Sequence, residues 1–169
     1  MSSRSARPFP EAELPMLIRV QTERFDAGSL LNMLSGADSD CGAVASFSGQ
    51  VRGGNNLVAL ELEHYPGATE KALTRIAAHA RTRWDLRQAM IIHRVGRMEI
   101  GEEIVFIGAT APHRRAALEA VSFMIDVLKT QAPFWKKEFD DQGARWVDAR
   151  PEDDRAAARW LDDKEDASA

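Results

Sequence analysis

The sequence contains a single cysteine, Cys41, among 169 residues. One cysteine excludes an intrachain disulfide framework and predicts a reducing compartment such as the cytoplasm. The sequence also lacks an apolar run long enough to cross a bilayer and an apolar signal region after Met1, so we expect no membrane association. Its net charge of −4 does not favour general nucleic-acid binding, although a local basic pocket remains open.

The sequence also lacks the motifs of a metal site and of a phosphate-binding loop. No spacing of His, Cys and carboxylate residues is typical of a metal site, and there is no Gly-x-x-x-x-Gly-Lys-Ser/Thr loop. We therefore predict neither a metal nor a bound cofactor. What is present, 44% hydrophobic and 28% charged residues, is typical of one soluble domain. We expect a flexible tail over residues 1–16, a domain over 17–160 and a frayed acidic C-terminus over 161–169.

Strand and helix patterns interleave along the chain, which predicts a single-domain α+β fold with a mixed or antiparallel sheet, two long helices and a C-terminal β-hairpin. Strands are predicted over residues 17–21, 41–49, 57–64, 90–96, 103–110, 134–139 and 145–149, and helices over 25–34, 69–83, 112–129 and 154–161. The small apolar strand at 41–49 is expected to be buried. A Gly/Asn-rich loop follows it, and residues 96–101 are expected to be a connection.

Three details of the helices follow from residue type. Asp26 is a plausible N-cap for the first helix, with Leu30, Leu31 and Leu34 on its apolar stripe. Pro112 is expected at the first position of the third helix.

The segment from Lys129 to Glu138 places three lysines around a proline and two aromatic residues. Because the proline interrupts the helix, a helix end and a following strand can direct ammonium groups into one cleft. Alternation puts Lys136 and Glu138 on one strand face and Lys137 on the other. The segment suits anion binding or amine chemistry, and a charged edge strand is an equally good interpretation.

Two further basic groups could bind an anion. His113 and Arg114 stand at the predicted start of a helix, where backbone N–H groups favour anions, although this motif alone favours a cap and a surface residue. Arg52 follows a strand and precedes glycines, so it could bind a phosphate or simply lie in an exposed turn. His93 and Cys41 are expected to be core or rim residues rather than a ligand and a nucleophile.

The helix between His113 and Lys129 would span roughly 24 Å at about 1.5 Å per residue. Residues at its two ends cannot contact one small ligand within a single subunit. A two-fold dimer would bring His113 and Arg114 of one copy beside the lysines of the other, and we predict that arrangement.

With these residues assembled, the sequence resembles the large, catalytic subunit of molybdopterin synthase over about residues 17–160. The matching blocks are Phe47-Ser-Gly-Gln-Val-Arg52, Leu62-Glu-His-Tyr-Pro-Gly67, Ile92-His-Arg-Val-Gly96, Ala111-Pro-His-Arg114 and Leu128-Lys-Thr-Gln-Ala-Pro-Phe-Trp-Lys-Lys-Glu138. The resemblance implies an α/β hammerhead fold and a heterotetramer built on a central homodimer. Its implied substrate-binding residues are Gln50, Val51, Arg52, His113, Arg114, Lys129, Lys136, Lys137 and Glu138, with Lys129 and Lys136 catalytic.

The activity implied by the resemblance is sulfur transfer. A small ubiquitin-like sulfur-carrier subunit supplies sulfur as a C-terminal thiocarboxylate, and cyclic pyranopterin monophosphate becomes molybdopterin. The loop after Arg52 is shorter than in many relatives, and Gln50 replaces a longer basic residue, which would remove one phosphate contact. A non-catalytic docking module for a ubiquitin-like tail is the alternative. An acyl- or phosphoryl-transfer enzyme ranks last because it lacks a motif.

Overall fold

The structure is a computed structural model that describes residues 15–35 and 39–161. Within those ranges the chain forms eight strands and four helices. In chain order they are β1 (Met16–Gln21), α1 (Ala27–Leu34), β2 (Ala43–Gln50), β3 (Ala59–His64), α2 (Ala68–Trp84), β4 (Gln88–Arg94), β5 (Gly96–Glu99), β6 (Glu103–Ala111), α3 (Arg114–Gln131), β7 (Phe134–Asp140), β8 (Gly143–Val147) and α4 (Pro151–Ala158). The predicted α+β class is confirmed. Most of the predicted tail and frayed end lies outside the described residues.

The strands form two four-stranded sheets. The first has the order β1-β4-β6-β2 and is mixed, because β1 runs parallel to β4 while the other pairs are antiparallel. The second has the order β5-β3-β7-β8 and is antiparallel throughout. The chain passes from the first sheet to the second three times, and the shortest of these connections is Val95, between β4 and β5.

Alternation along the central strands gives the first sheet a core on each face. Ile91 and Ile107 point to the face covered by α2 and α3. Met90, Ile92 and Phe106 point to the other face and pack against α1. The second sheet has a smaller buried cluster of its own, made of Val51, Leu60, Leu62 and Met98.

Helix α1 lies close to the first sheet because of a glycine beneath it. A Cβ atom at Gly108 would come within 2.2 Å of Leu34 Cδ1, so a larger residue would push the helix away. The predicted N-cap is confirmed, since Asp26 Oδ1 accepts the Ser29 N–H at 2.7 Å. The predicted apolar stripe is right for Leu30 and Leu34 but wrong for Leu31, which is 38% exposed.

The predicted buried strand at 41–49 is instead an edge strand. Among the strands of residues 15–35 and 39–161, β2 pairs only with β6, and within β2 Ala45 alone is buried. Val44 and Phe47 are each 39% exposed. Small apolar residues are typical of a buried strand, but here they form an edge that leaves two larger apolar side chains accessible.

Three element boundaries also differ from expectation. Residues 96–99 are strand β5 rather than a connection, because Met98 is buried between exposed Arg97 and Glu99 and four residues suffice to pair with β3. Pro112 precedes helix α3 rather than opening it, since His113 is the N-cap in extended conformation. Helix α4 begins at Pro151, three residues early, because that proline and three acidic residues in the first turn favour a helix start.

The hairpin of β7 and β8 is confirmed, but β8 starts at Gly143 rather than at residue 145. Asp140 pairs with Gly143, so the connecting turn is shorter than expected. Among residues 15–35 and 39–161, no helix is long and apolar enough to cross a membrane.

Candidate active site

A cavity of about 560 Å³ opens between the second sheet, the end of α3 and the start of α4. Its lining contains both apolar and charged side chains. The basic lining residues are Arg52, Lys129, Lys136, Arg145 and Arg150, and the acidic ones are Glu138, Asp148 and Asp153. Because five cations face three carboxylates, the cavity suits an anionic ligand.

The two predicted catalytic lysines reach this cavity from different elements. Lys129 lies in the last turn of α3 and Lys136 lies on β7. Between them Ala132 ends the helix with extended backbone (φ −89°, ψ 131°), as a residue before proline requires. The proline break therefore turns the chain so that both side chains line one cavity, as the sequence predicted.

Each lysine has a carboxylate partner. Lys129 Nζ lies 3.3 Å from Asp153 Oδ1 in the first turn of α4. Lys136 Nζ lies 3.2 Å from Glu138 Oε1 on the same strand. Glu138 Oε2 also accepts a hydrogen bond from Arg145 Nη2 at 3.0 Å. The first turn of α4 and strand β8 thus supply contacts that hold the lysines.

The segment after β2 forms another wall. Gln50, Val51 and Arg52 all line the cavity. Val51 is buried, and its backbone exchanges hydrogen bonds with the segment before β6, donating to Glu102 O at 2.9 Å and accepting from Gly101 N at 2.8 Å. This anchoring leaves Arg52 exposed beside the loop that follows, where Asn55 and Asn56 adopt positive φ angles.

The structure does not place Lys137 in the cavity. Its Nζ lies 5.5 Å from the ring centroid of Phe139 and 5.3 Å from that of Trp146, on the outer face of the sheet. These are cation–π distances, so the ammonium is held away from Lys136. The alternation predicted for Lys136 and Lys137 is present, whereas the pocket role implied for Lys137 has no support within one protomer.

His113 and Arg114 also lie outside the cavity of their own protomer. Both are exposed at the N-terminus of α3, whereas Lys129 is in its last turn. At about 1.5 Å per residue the 18-residue helix is roughly 27 Å long, so one small ligand cannot contact both ends. The predicted dimer depends on this separation between the two ends of α3.

His93 lines the cavity, whereas the sequence predicted only a core or rim residue. It is buried on β4, its ring stacks on Phe134 at a centroid distance of 4.0 Å, and Nδ1 lies 2.8 Å from Arg94 O. Burial lowers the pKa of His93 to about 4, the Arg94 hydrogen bond opposes this, and repulsion from His64 adds to it. His93 is therefore neutral near pH 7, and its Nδ1–H donates to Arg94 O.

Sequence reasoning also missed the contributions of β8, α4 and the segment between them. Arg145, Asp148, Arg150 and Asp153 line the cavity but were assigned only to a hairpin and an acidic helix. The signal available was the two-residue turn, since pairing Asp140 with Gly143 puts Arg145 opposite Glu138. Within the part of the chain that is described, no group of three or more His, Cys, Asp or Glu residues could hold a metal ion.

Comparison with known proteins identifies the family. The profile of the family described as MoaE protein matches residues 20–131. The chain belongs to the MoaE family. A relative from Yersinia pestis, called molybdopterin synthase catalytic subunit, is 53% identical over 146 residues, which cover 85% of this chain and 96% of the relative. The resemblance drawn from the sequence blocks is thereby confirmed.

Solved structures agree with the MoaE assignment. A molybdopterin biosynthesis MoaE protein from Burkholderia ambifaria superposes with a TM-score of 0.74 at 48% identity, covering 86% of this chain and 98% of that one. A complex of subunits 1 and 2 of molybdopterin-converting factor from Helicobacter pylori shares the fold, with a TM-score of 0.67 at 21% identity over 81% of this chain and 92% of that one. The MoaE family match includes Arg52, His113, Arg114 and Lys129 and ends before Lys136.

Proposed function

We propose that this chain is the catalytic subunit of a molybdopterin synthase. It would transfer sulfur from the C-terminal thiocarboxylate of a small ubiquitin-like carrier subunit to cyclic pyranopterin monophosphate, forming the dithiolene of molybdopterin. The observation that carries the proposal is the convergence of Lys129 and Lys136 on one cation-rich cavity. The sequence resemblance implies that these two are the functional lysines. Membership of the MoaE family supports an enzymatic role in molybdopterin biosynthesis.

Different residues of the cavity would bind the different reactants. Arg52 would hold the cyclic phosphate, because a guanidinium binds phosphate oxygens in bidentate fashion, with Gln50 and Val51 lining the cavity beside it. The carrier's tail would approach Lys129, where its thiocarboxylate would replace Asp153 as the anionic partner. Lys136 would donate or accept protons, or stabilise negative charge, while sulfur adds to the pterin.

A second copy of the chain completes the site in this proposal. Since His113 and Arg114 lie at the far end of α3, they would reach the phosphate only from a neighbouring protomer. The exposed Val44 and Phe47 on the free edge of β2 leave apolar surface available for such a contact. A central homodimer carrying two carrier subunits would form the heterotetramer.

Mixing two inactive variants tests the composite site. One variant carries His113→Ala and Arg114→Ala, and the other carries Lys136→Ala. Random exchange of protomers should restore about a quarter of wild-type activity, since half the dimers are mixed and each has one intact site. The restored activity is measured as dithiolene formed per protomer. No recovery in a sample whose mixed dimers are verified by mass would contradict the shared site.

Cys41 should be dispensable, because sulfur would come from the carrier and the cysteine does not line the cavity. The Cys41→Ser variant is expected to form dithiolene at a rate within about twofold of wild type, since a thiol outside the site takes no part in the chemistry. Its thermal unfolding serves as the control for folding. A loss beyond tenfold in a folded variant would point to a sulfur relay through Cys41.

A docking module remains the second candidate, because a cation-rich cavity would also recognise a C-terminal carboxylate. Incubation with thiocarboxylated carrier and cyclic pyranopterin monophosphate separates the two. Dithiolene product, detected by its fluorescent oxidised derivative, supports the enzyme. A stable complex without product, under conditions where both ligands are bound, would support docking alone.

A further inference from the structure

Glu138 is held from two sides on the cavity wall. Its Oε1 contacts Lys136 Nζ at 3.2 Å and its Oε2 accepts from Arg145 Nη2 at 3.0 Å. The side chain of Glu138 is only 17% exposed, whereas that of Arg145 is 54% exposed. The carboxylate therefore joins the lysine of the proposed chemistry to an arginine that neither the sequence blocks nor the proposed reaction uses.

The arginine is itself fixed by a second carboxylate. Arg145 Nη1 pairs with Asp140 Oδ2, and Asp140 lies two residues beyond Glu138 on β7, so both acids project from the same strand face. Arg145 lies directly opposite Glu138 in the strand register. A planar guanidinium with fixed donor directions, bound at two points, sets the plane in which the Glu138 carboxylate can lie.

We propose that Arg145 is a positioning residue that orients the Glu138 carboxylate and thereby aims the Lys136 ammonium into the cavity. The inference rests on the proposed function, in which Lys136 is a working lysine. Without the guanidinium, Glu138 keeps a single cationic partner and gains rotameric freedom. Its Oε1 then no longer fixes Lys136 at one place. A full misplacement of about 1 Å costs on the order of a hundredfold in rate, so a partial loss of orientation is expected to cost about tenfold.

The same geometry argues that Arg145 acts through Glu138 and not by itself. Two of its nitrogens are already engaged by Glu138 and Asp140, which leaves less of the fork for an anionic ligand. A residue that bound substrate directly would contribute whether or not Glu138 were present. A residue that positions Glu138 should lose its effect once that carboxylate is gone.

A double-mutant cycle in single-turnover dithiolene formation tests the inference. Arg145→Ala is expected to lower the rate about tenfold in the wild-type background and less than twofold in the Glu138→Ala background. Arg145→Lys should recover part of the loss, since it restores a cation but not the fork. The affinity for the carrier should change less than twofold. Equal losses in both backgrounds, or a loss only in carrier affinity, would overturn the proposal.

Arg97→Ala is the matched control. Arg97 is an arginine of the same sheet, but its guanidinium stacks on Phe139 at 4.6 Å and does not line the cavity. The rate of dithiolene formation by Arg97→Ala should stay within about twofold of wild type because the substitution leaves Glu138 untouched. A tenfold loss in Arg97→Ala would mean that any arginine of this sheet matters, which would overturn a specific role for Arg145.

A crystal structure of Arg145→Ala makes the inference independent of turnover. Glu138 turned away from Lys136, or spread over several rotamers, supports the positioning role even if the wild-type protein forms no dithiolene, in which case only the proposed function fails. A Glu138 carboxylate unmoved beside Lys136 would overturn the positioning role, and dithiolene formation by the wild type would leave the proposed function standing.

Discussion

Replacing Lys136 with alanine is expected to lower the rate of dithiolene formation by at least about a hundredfold, with carrier binding retained. A positioned proton donor or charge stabiliser contributes on the order of 10² to 10⁴ in rate, and nothing else on β7 carries an ammonium into the cavity. Single-turnover product formation and carrier affinity, measured on the same sample, separate chemistry from binding. Lys129→Ala should also lose activity, together with affinity for the thiocarboxylate tail.

Lys137→Ala provides the contrast for Lys136→Ala. The two lysines are adjacent in sequence, but Lys137 lies over Trp146 on the outer face of the sheet. Removing the Lys137 side chain should lower the rate of dithiolene formation less than about threefold, as expected for a half-exposed cation–π contact away from the cavity. If Lys136→Ala and Lys137→Ala behaved alike, the assignment of the chemistry to the inner face of β7 would be wrong.

Acid should destabilise the protein through His93 by about 3 kcal/mol. The folded-state pKa of about 4 lies below the usual histidine pKa of 6.5, so the unfolded chain takes up the proton first as pH falls. Stability from this group is complete above pH 6.5, falls as pH drops towards 4, and is fully lost below that. Urea unfolding at several pH values between 7 and 4 measures the slope.

The comparison that isolates this effect is His93→Phe, which keeps a ring against Phe134 but cannot take up a proton. Its free energy of unfolding should be lower near pH 7, because the Arg94 carbonyl loses its donor, and should fall less steeply with acid. Identical slopes for wild type and His93→Phe would show that His93 does not control acid stability.

Local patterns predicted most of the fold because they depend only on neighbours in sequence. The Asp26 cap and the alternation of β7 require no knowledge of the rest of the chain. Position within a sheet is not local. Strand β2 carries small apolar residues typical of a buried strand, yet it lies at an edge because no further described strand pairs beyond it. The four-residue β5 was missed because Arg-Met-Glu contains one apolar residue, and pairing with β3 decides its conformation.

The candidate site likewise has features that local sequence predicts and features that depend on tertiary packing. The convergence of Lys129 and Lys136 could be predicted because a helix end, a proline and a strand lie within nine residues. The partner of Lys129 could not, since Asp153 comes from α4 and its contact depends on tertiary packing. The position of Arg145 could have been predicted, because starting the last strand two residues earlier places Arg145 opposite Glu138.

Tracing the sulfur tests the central claim most directly. Excess carrier bearing a ³⁴S thiocarboxylate is mixed with the chain and cyclic pyranopterin monophosphate, and the masses of pterin and carrier are followed in time. Sulfur transfer by this chain predicts a pterin product with two ³⁴S atoms, and two carriers returned as carboxylates for each dithiolene. A stable complex in which the carrier keeps its ³⁴S and the pterin gains none would contradict it.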